Sequence, residues 1–166
     1  YLLSNGIETK VGSLSAEWEH FFAWLRVDDE KEVLDRAALA DGDNGPLSLE
    51  RAVLGLLTPA RLLDYVENFI VFYRETGKVI AQNHQFIGVN NAYDVFTRRQ
   101  AVGGKLGVFW HTQGSGKSFS MVFYARKVFR KLSGNFTFVV VTDRDDLDGQ
   151  IYRNFLHTGT VAPKDE

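Results

Sequence analysis

Apolar and polar positions recur along this chain in rhythms that change several times, and each rhythm predicts an element. From Tyr1 to Gly12 an Asn5-Gly6 pair stands between two short extended segments, a strong short-range signal for a hairpin. Ser15 then offers an N-cap, and Trp18, Phe21, Phe22 and Leu25 recur at helical spacing, so a helix with an aromatic face is expected there. Residues 28 to 47 are acidic and then loop-like, with Asp41-Gly42-Asp43-Asn44-Gly45-Pro46 breaking any helix. Ser48 to Leu57 predicts a short helix. Thr58 as N-cap and Pro59 at the first helical position start another, expected from Pro59 to Glu75, with Leu62, Val66, Phe69, Ile70 and Tyr73 on one face. Lys78 to Ala81 is a short extended entry to a helical stretch opening at Asn83.

Further on the pattern alternates between strand and helix. The apolar run Gly107 to Trp110 reads as a strand, followed by a glycine-rich turn and a helix whose buried stripe is Phe119, Val122, Phe123 and Leu132. Arg126, Lys127, Arg130 and Lys131 cluster on that helix. Ser133-Gly134-Asn135 makes a turn. Phe136 to Val141 is then a continuous β-prone run, suited to a strand buried on both faces of a parallel sheet, and a further helical segment begins at Asp143. Strand, loop, helix, strand is a βαβ unit, so the expected fold class is α/β with a ligand at the carboxyl ends of parallel strands.

The turn between the first such strand and its helix carries the chemistry. Thr112-Gln113-Gly114-Ser115-Gly116-Lys117-Ser118 delivers the chain from a strand into a helix, aiming backbone N–H groups and the positive end of the helix dipole at one point. Gly114 and Gly116 let the backbone approach a pyrophosphate, Lys117 supplies an ammonium for the outer phosphates, and the Ser118 hydroxyl is placed to ligate Mg²⁺. This is the pattern of a phosphate-binding loop for ATP, with one departure: His111 stands where the first glycine is usual. His20, His84 and His111 lack the paired spacing of metal ligands and read as packing residues, and Asp41 and Asp43 read as a solvated turn.

Composition narrows the class without choosing the function. The chain has 166 residues, 45% hydrophobic and 13% aromatic, which is enough to bury a core. With no cysteine, disulfide frameworks and thiolate zinc sites are excluded. There is no apolar run of membrane-spanning length, so no membrane role is expected and a cytoplasmic location is the default. A net charge of −2 conceals an acidic first half and a basic second half, the latter containing the glycine turn. That asymmetry alone does not identify a nucleic-acid partner.

Trp110 to Ser118, together with Val139-Val-Val-Thr-Asp-Arg-Asp-Asp-Leu-Asp148 and Gln150, closely resembles the first motor domain of the restriction (R) subunit of type I restriction–modification enzymes, whose motors are superfamily 2 helicase-like. Leu3 to Ser13, Trp18 to Trp24 and Asn83 to Val89 resemble the end of that subunit's nuclease domain, its connecting helices and its adenine-side glutamine motif. The resemblance implies residues 1–27 as the hairpin and helix closing a nuclease domain, 28–77 as a helical linker, and 78–166 as the beginning of a RecA-like ATPase domain. It implies an ATP-dependent double-stranded DNA translocase and endonuclease working with methylation and specificity subunits. Gln85 would contact the adenine edge, with Gln100 as a competitor for that role. Thr142, Asp143 and Arg144 would lie near the DNA, although Asp143 also invites assignment as a metal-polarising acid.

Phosphoryl transfer needs an acid and arginines beyond the phosphate cradle. The family supplies these from elements that would follow Glu166, and its nuclease carboxylates from elements that would precede Tyr1. A partial chain is therefore expected, binding nucleotide weakly and neither hydrolysing it nor cutting DNA alone. Other readings of the same residues are a non-restriction DNA helicase or translocase, a small P-loop kinase, or a non-catalytic nucleotide-binding module.

Overall fold

The Asn5 side chain accepts the amides of Ile7 (3.0 Å) and Glu8 (2.8 Å), and the chain reverses around it. The strands that it joins are β1 (Leu2–Ser4) and β2 (Thr9–Val11), antiparallel with Leu2 opposite Val11 and Ser4 opposite Thr9, as the sequence predicts. These features belong to a computed structural model of the chain that describes residues 1–5, 7–32 and 48–162. The Asp41 and Asp43 loop lies outside the described residues. The chain forms two compact units, Tyr1–Ile70 with Ile80–Ile87, and Val71–Val79 with Gly88–Glu166.

In the first unit, β3 (Phe22–Ala23) pairs with the free edge of β2, with Val11 opposite Phe22, giving the order β1-β2-β3. The helix expected over Trp18 to Leu25 is replaced by one 3₁₀ turn, Trp18–His20, and this strand; Ser15 caps no helix. Aromatic residues lose side-chain freedom in a helix and pack well on a pleated surface beside an unpaired edge. The extended course buries Trp24 completely (0% exposed) and leaves Trp18 outside, stacked on Phe21 at 5.5 Å.

Trp24 is the centre of the first unit's core. Its ring meets Tyr65 at 5.9 Å and Phe86 at 5.6 Å, and Phe86 meets Phe69 at 4.7 Å. The Tyr65 hydroxyl donates to the Ala81 carbonyl, and burial raises its pKa. Helix α1 (Ser48–Ala52) runs into a π turn, Val53–Leu57, over the stretch expected to be helical. Within that turn Gly55 is required by close approach, because a Cβ there would lie 2.2 Å from Trp24 Nε1. Helix α2 (Pro59–Asn68) has Pro at its first turn, as expected, but ends at Asn68 rather than Glu75. The residues that follow, Ile70 to Tyr73, are β-branched and aromatic, and instead form β4 (Ile70–Tyr73) in a hairpin with β5 (Gly77–Ile80).

Most of that hairpin belongs to the second unit. Its tip carries Arg74 and Glu75 at φ 51° and 66°, and the Arg74 amide donates to the His157 carbonyl at 2.9 Å. Helices α3 (Asn83–Thr97), α4 (Lys117–Lys131) and α5 (Asp145–His157) follow in sequence. Of the predicted stripe, Val122 and Phe123 of α4 are fully buried while Phe119 and Leu132 are half-buried, and Val128 is buried with them. Arg126 ties α4 to the end of α5 by donating to the Thr158 carbonyl at 3.1 Å.

The parallel sheet predicted around Gly107–Trp110 and Phe136–Val141 is not seen among the described residues, where the only sheets are the three-stranded and two-stranded ones. Phe138 packs on Phe129 at 5.3 Å and on Tyr124 at 6.3 Å, so one side of the second run lies on α4. Its alternate residues Val139 and Val141 are 80% and 86% exposed, and Val108 of the first run is 93% exposed. A strand of this composition needs ladder partners and cover on both faces, and among the described residues neither run has them.

Candidate functional site

The glycine turn folds around its own lysine. Lys117 Nζ donates to the carbonyls of His111 and Thr112, each at 2.9 Å, which draws the two ends of the turn together. An ammonium has three N–H donors, so this arrangement uses two and leaves one for an anion. Gly114 and Gly116 sit at φ 80° and 75°, in the left-handed region, and a Cβ built at Gly114 would meet nothing within 4 Å. Inside the turn, Ser115 N–H donates to the Thr112 carbonyl at 3.3 Å.

Helix α4 begins directly from this turn, with Gly116 at its N-cap and no side-chain cap. The opening amides of an α-helix have no partner within the helix, and its dipole makes that end positive. Phe119 N–H and Ser120 N–H both return to the Gly116 carbonyl, at 3.0 and 3.2 Å. Thr112, Gln113, Gly114 and Lys117 are exposed, and Ser115, Gly116 and Ser118 are half-buried. An uncapped 15-residue helix, two left-handed glycines and a lysine across the mouth have the chemistry to hold a polyphosphate. Among the described residues no three His, Asp or Glu side chains gather to hold a metal ion; the turn itself carries hydroxyl oxygens on Thr112, Ser115 and Ser118.

The remaining expected residues are distributed between the units. Gln85 stands in the first unit, 5% exposed, where its Oε1 accepts the Gln82 amide at 2.8 Å across the start of α3. The start of α3 is fixed further by Asn83, which accepts the Arg26 amide at 3.0 Å and donates to the Arg26 carbonyl at 2.8 Å. Gln100 is exposed in the turn after α3. Thr142, Asp143 and Arg144 lead into α5 in the second unit: Asp143 and Arg144 are exposed, and Thr142 Oγ1 donates to the Arg144 carbonyl at 3.4 Å.

One residue carries more structure than its sequence context suggested. Lys127, one of the clustered basic residues of this helix, is 6% exposed; its ammonium donates to Asn90 Oδ1 and lies 5.0 Å from the Tyr93 ring centre. It therefore joins α4 to α3. The signal was present, since Lys127 follows the buried Phe123 by four residues and shares its face.

The SWI2/SNF2 ATPase family profile matches residues 84–166, which include the turn, α4 and the segment through Arg144. This chain belongs to the SWI2/SNF2 ATPase family. Within it, the chain is similar along 93% of its length to the type I restriction enzyme HindI endonuclease subunit of Haemophilus influenzae, with 43% identity over 161 residues. It is also 33% identical over 178 residues, covering 99% of the chain, to a Methanocaldococcus jannaschii sequence provisionally named the type I restriction enzyme MjaIXP endonuclease subunit. The chain spans 15% and 17% of the lengths of those two relatives. No solved structure matches it. The expected kinship with type I restriction endonuclease subunits thus holds for this SWI2/SNF2 ATPase chain. Among its described residues, no helix is long and apolar enough to cross a membrane.

Proposed function

We propose that the chain is the ATP-gripping part of the motor in a type I restriction endonuclease subunit. The whole subunit would translocate double-stranded DNA at the expense of ATP and cut it, in a cytoplasmic complex with methylation and specificity subunits. The observation that carries this reading is the Lys117-laced turn at the uncapped start of α4, inside the segment matched to an ATPase family.

In this reading the amides from Gly114 to Ser118 and the remaining Lys117 N–H hold the phosphates, and Ser118 Oγ joins the coordination of a Mg²⁺ that arrives with ATP. Thr112, Gln113 and Ser115 shape the same turn. Bound Mg²⁺ would neutralise phosphate charge. Gln85 would read the adenine edge, and Thr142, Asp143 and Arg144 would face the DNA. The runs Gly107–Trp110 and Phe136–Val141 would become strands of a RecA-like parallel sheet in a polypeptide of the relatives' size. Residues 1–27 would border the nuclease domain and 28–77 link it to the motor. By itself the chain is expected to bind nucleotide weakly, with no turnover of ATP and no DNA cleavage.

Calorimetric titration with Mg·ATP tests the assignment. The Lys117→Ala chain should bind at least about tenfold more weakly than the unsubstituted chain, because a hydrogen bond to a charged group is lost. Equal affinity in the two chains, or no binding to either, would overturn it.

A further inference from the structure

The fork of Arg144 is already closed on an anion of the chain's own. Arg144 Nε donates to Asp146 Oδ1 at 3.1 Å and Nη2 donates to Asp146 Oδ2 at 2.8 Å, a two-pronged pair on the first turn of α5. Both side chains are open to solvent, at 68% and 70% exposure. Guanidinium grips carboxylate and phosphate in the same bidentate geometry, so Asp146 occupies the group that a phosphodiester would use. The carboxylates of Asp145 and Asp148 also belong to this first turn, while the helix dipole favours an anion there. Asp143, Asp145, Asp146 and Asp148 flank this one guanidinium in sequence, so Arg144 is the cation of this stretch with which a phosphate could pair.

We infer that Asp146 is a built-in competitor for nucleic-acid phosphate, holding Arg144 until a DNA backbone displaces it. The inference rests on the proposed DNA-facing role of Thr142 to Arg144, and adds to it a residue that regulates that contact. An exposed pair of this kind shifts an equilibrium by about fivefold at most, weak enough for a polyelectrolyte that gains from counterion release to break. On release, the Arg144 fork turns to a phosphate and the Asp146 carboxylate returns to water. Asp146 thereby lowers resting affinity for DNA and makes engagement reversible from one phosphate to the next.

The test is equilibrium binding of a short DNA duplex to the full 166-residue chain across a range of salt concentrations, with circular dichroism confirming that each variant is folded. Asp146→Asn should tighten binding roughly two- to fivefold. Arg144→Ala should weaken binding and reduce the slope of log affinity against log salt by about one. Adding Asp146→Asn to Arg144→Ala should then tighten binding no more than Asp145→Asn does. Asp145→Asn, which removes the same charge beside the fork, should tighten binding less than Asp146→Asn does. If Asp146→Asn helps equally in the Arg144→Ala background, or no more than Asp145→Asn does, Asp146 acts by plain repulsion and the inference falls while the DNA-facing reading stands. If no variant binds the duplex, the DNA-facing reading itself fails and takes the inference with it.

Discussion

Trp24 and Val141 mark opposite fates for the same kind of sequence. Each belongs to a short run of apolar residues. Trp24 is wholly buried, in contact with Tyr65 and Phe86, whereas Val141 is 86% exposed. The first run finds its sheet partner eleven residues back, since Val11 of β2 pairs with Phe22. The second lies along α4 on one side and has no ladder on either edge among the described residues. Hydrophobic composition states what a segment can bury. Only the presence of partners decides whether it does so.

If this contrast is correct, damage at the Trp24 end should be severe. Trp24→Ala should destabilise the first unit by about 3–5 kcal/mol, the usual range for emptying a large aromatic site that cannot collapse. Urea denaturation with a probe in that unit would measure it, and a loss below 1 kcal/mol would mean that the aromatic cluster is not its core. An intermediate effect belongs to Lys127 in the second unit. Lys127→Ala removes a charged donor and leaves the buried side of Asn90 Oδ1 in need of a partner, at a cost of about 1–3 kcal/mol. Substitution of the exposed Arg130 should stay within about 0.5 kcal/mol, so the two residues of one basic cluster would separate cleanly.

Those separations show where the sequence was legible. The Asn5 hairpin, the start of α2 at Pro59, the opening of α3 and the buried centre of α4 were all set by local signals: a turn side chain, a first-turn proline and a 3.6-residue stripe. The end of α2 was missed because Phe69, Ile70 and Tyr73 fit a helical face as well as a strand, and the hairpin with Gly77–Ile80 decided between them. The helix expected at Trp18 failed in the same way, overruled by the edge of β2. At the candidate site, the glycine turn and the helix that leaves it were readable from spacing. Two features were not readable: the carbonyls that hold Lys117, and the carboxylate already seated on Arg144. Both depend on which partners two to six residues away a charged side chain takes, which a motif does not specify.

The smallest expected effect gives the sharpest check on the contrast. Val139→Thr with Val141→Thr replaces two exposed methyl groups by hydroxyls that water can satisfy, so in this chain their summed cost should stay within about 0.5 kcal/mol. In a polypeptide of the relatives' size, where the proposed sheet would cover both residues, each hydroxyl would be taken out of water among apolar neighbours, at about 1–3 kcal/mol apiece. Denaturant titration of both lengths, with and without the substitutions, separates intrinsic tolerance from missing partners. A cost that stays negligible in the longer polypeptide would mean that Phe136–Val141 is a surface segment by nature, and the parallel sheet would have to be built from other residues.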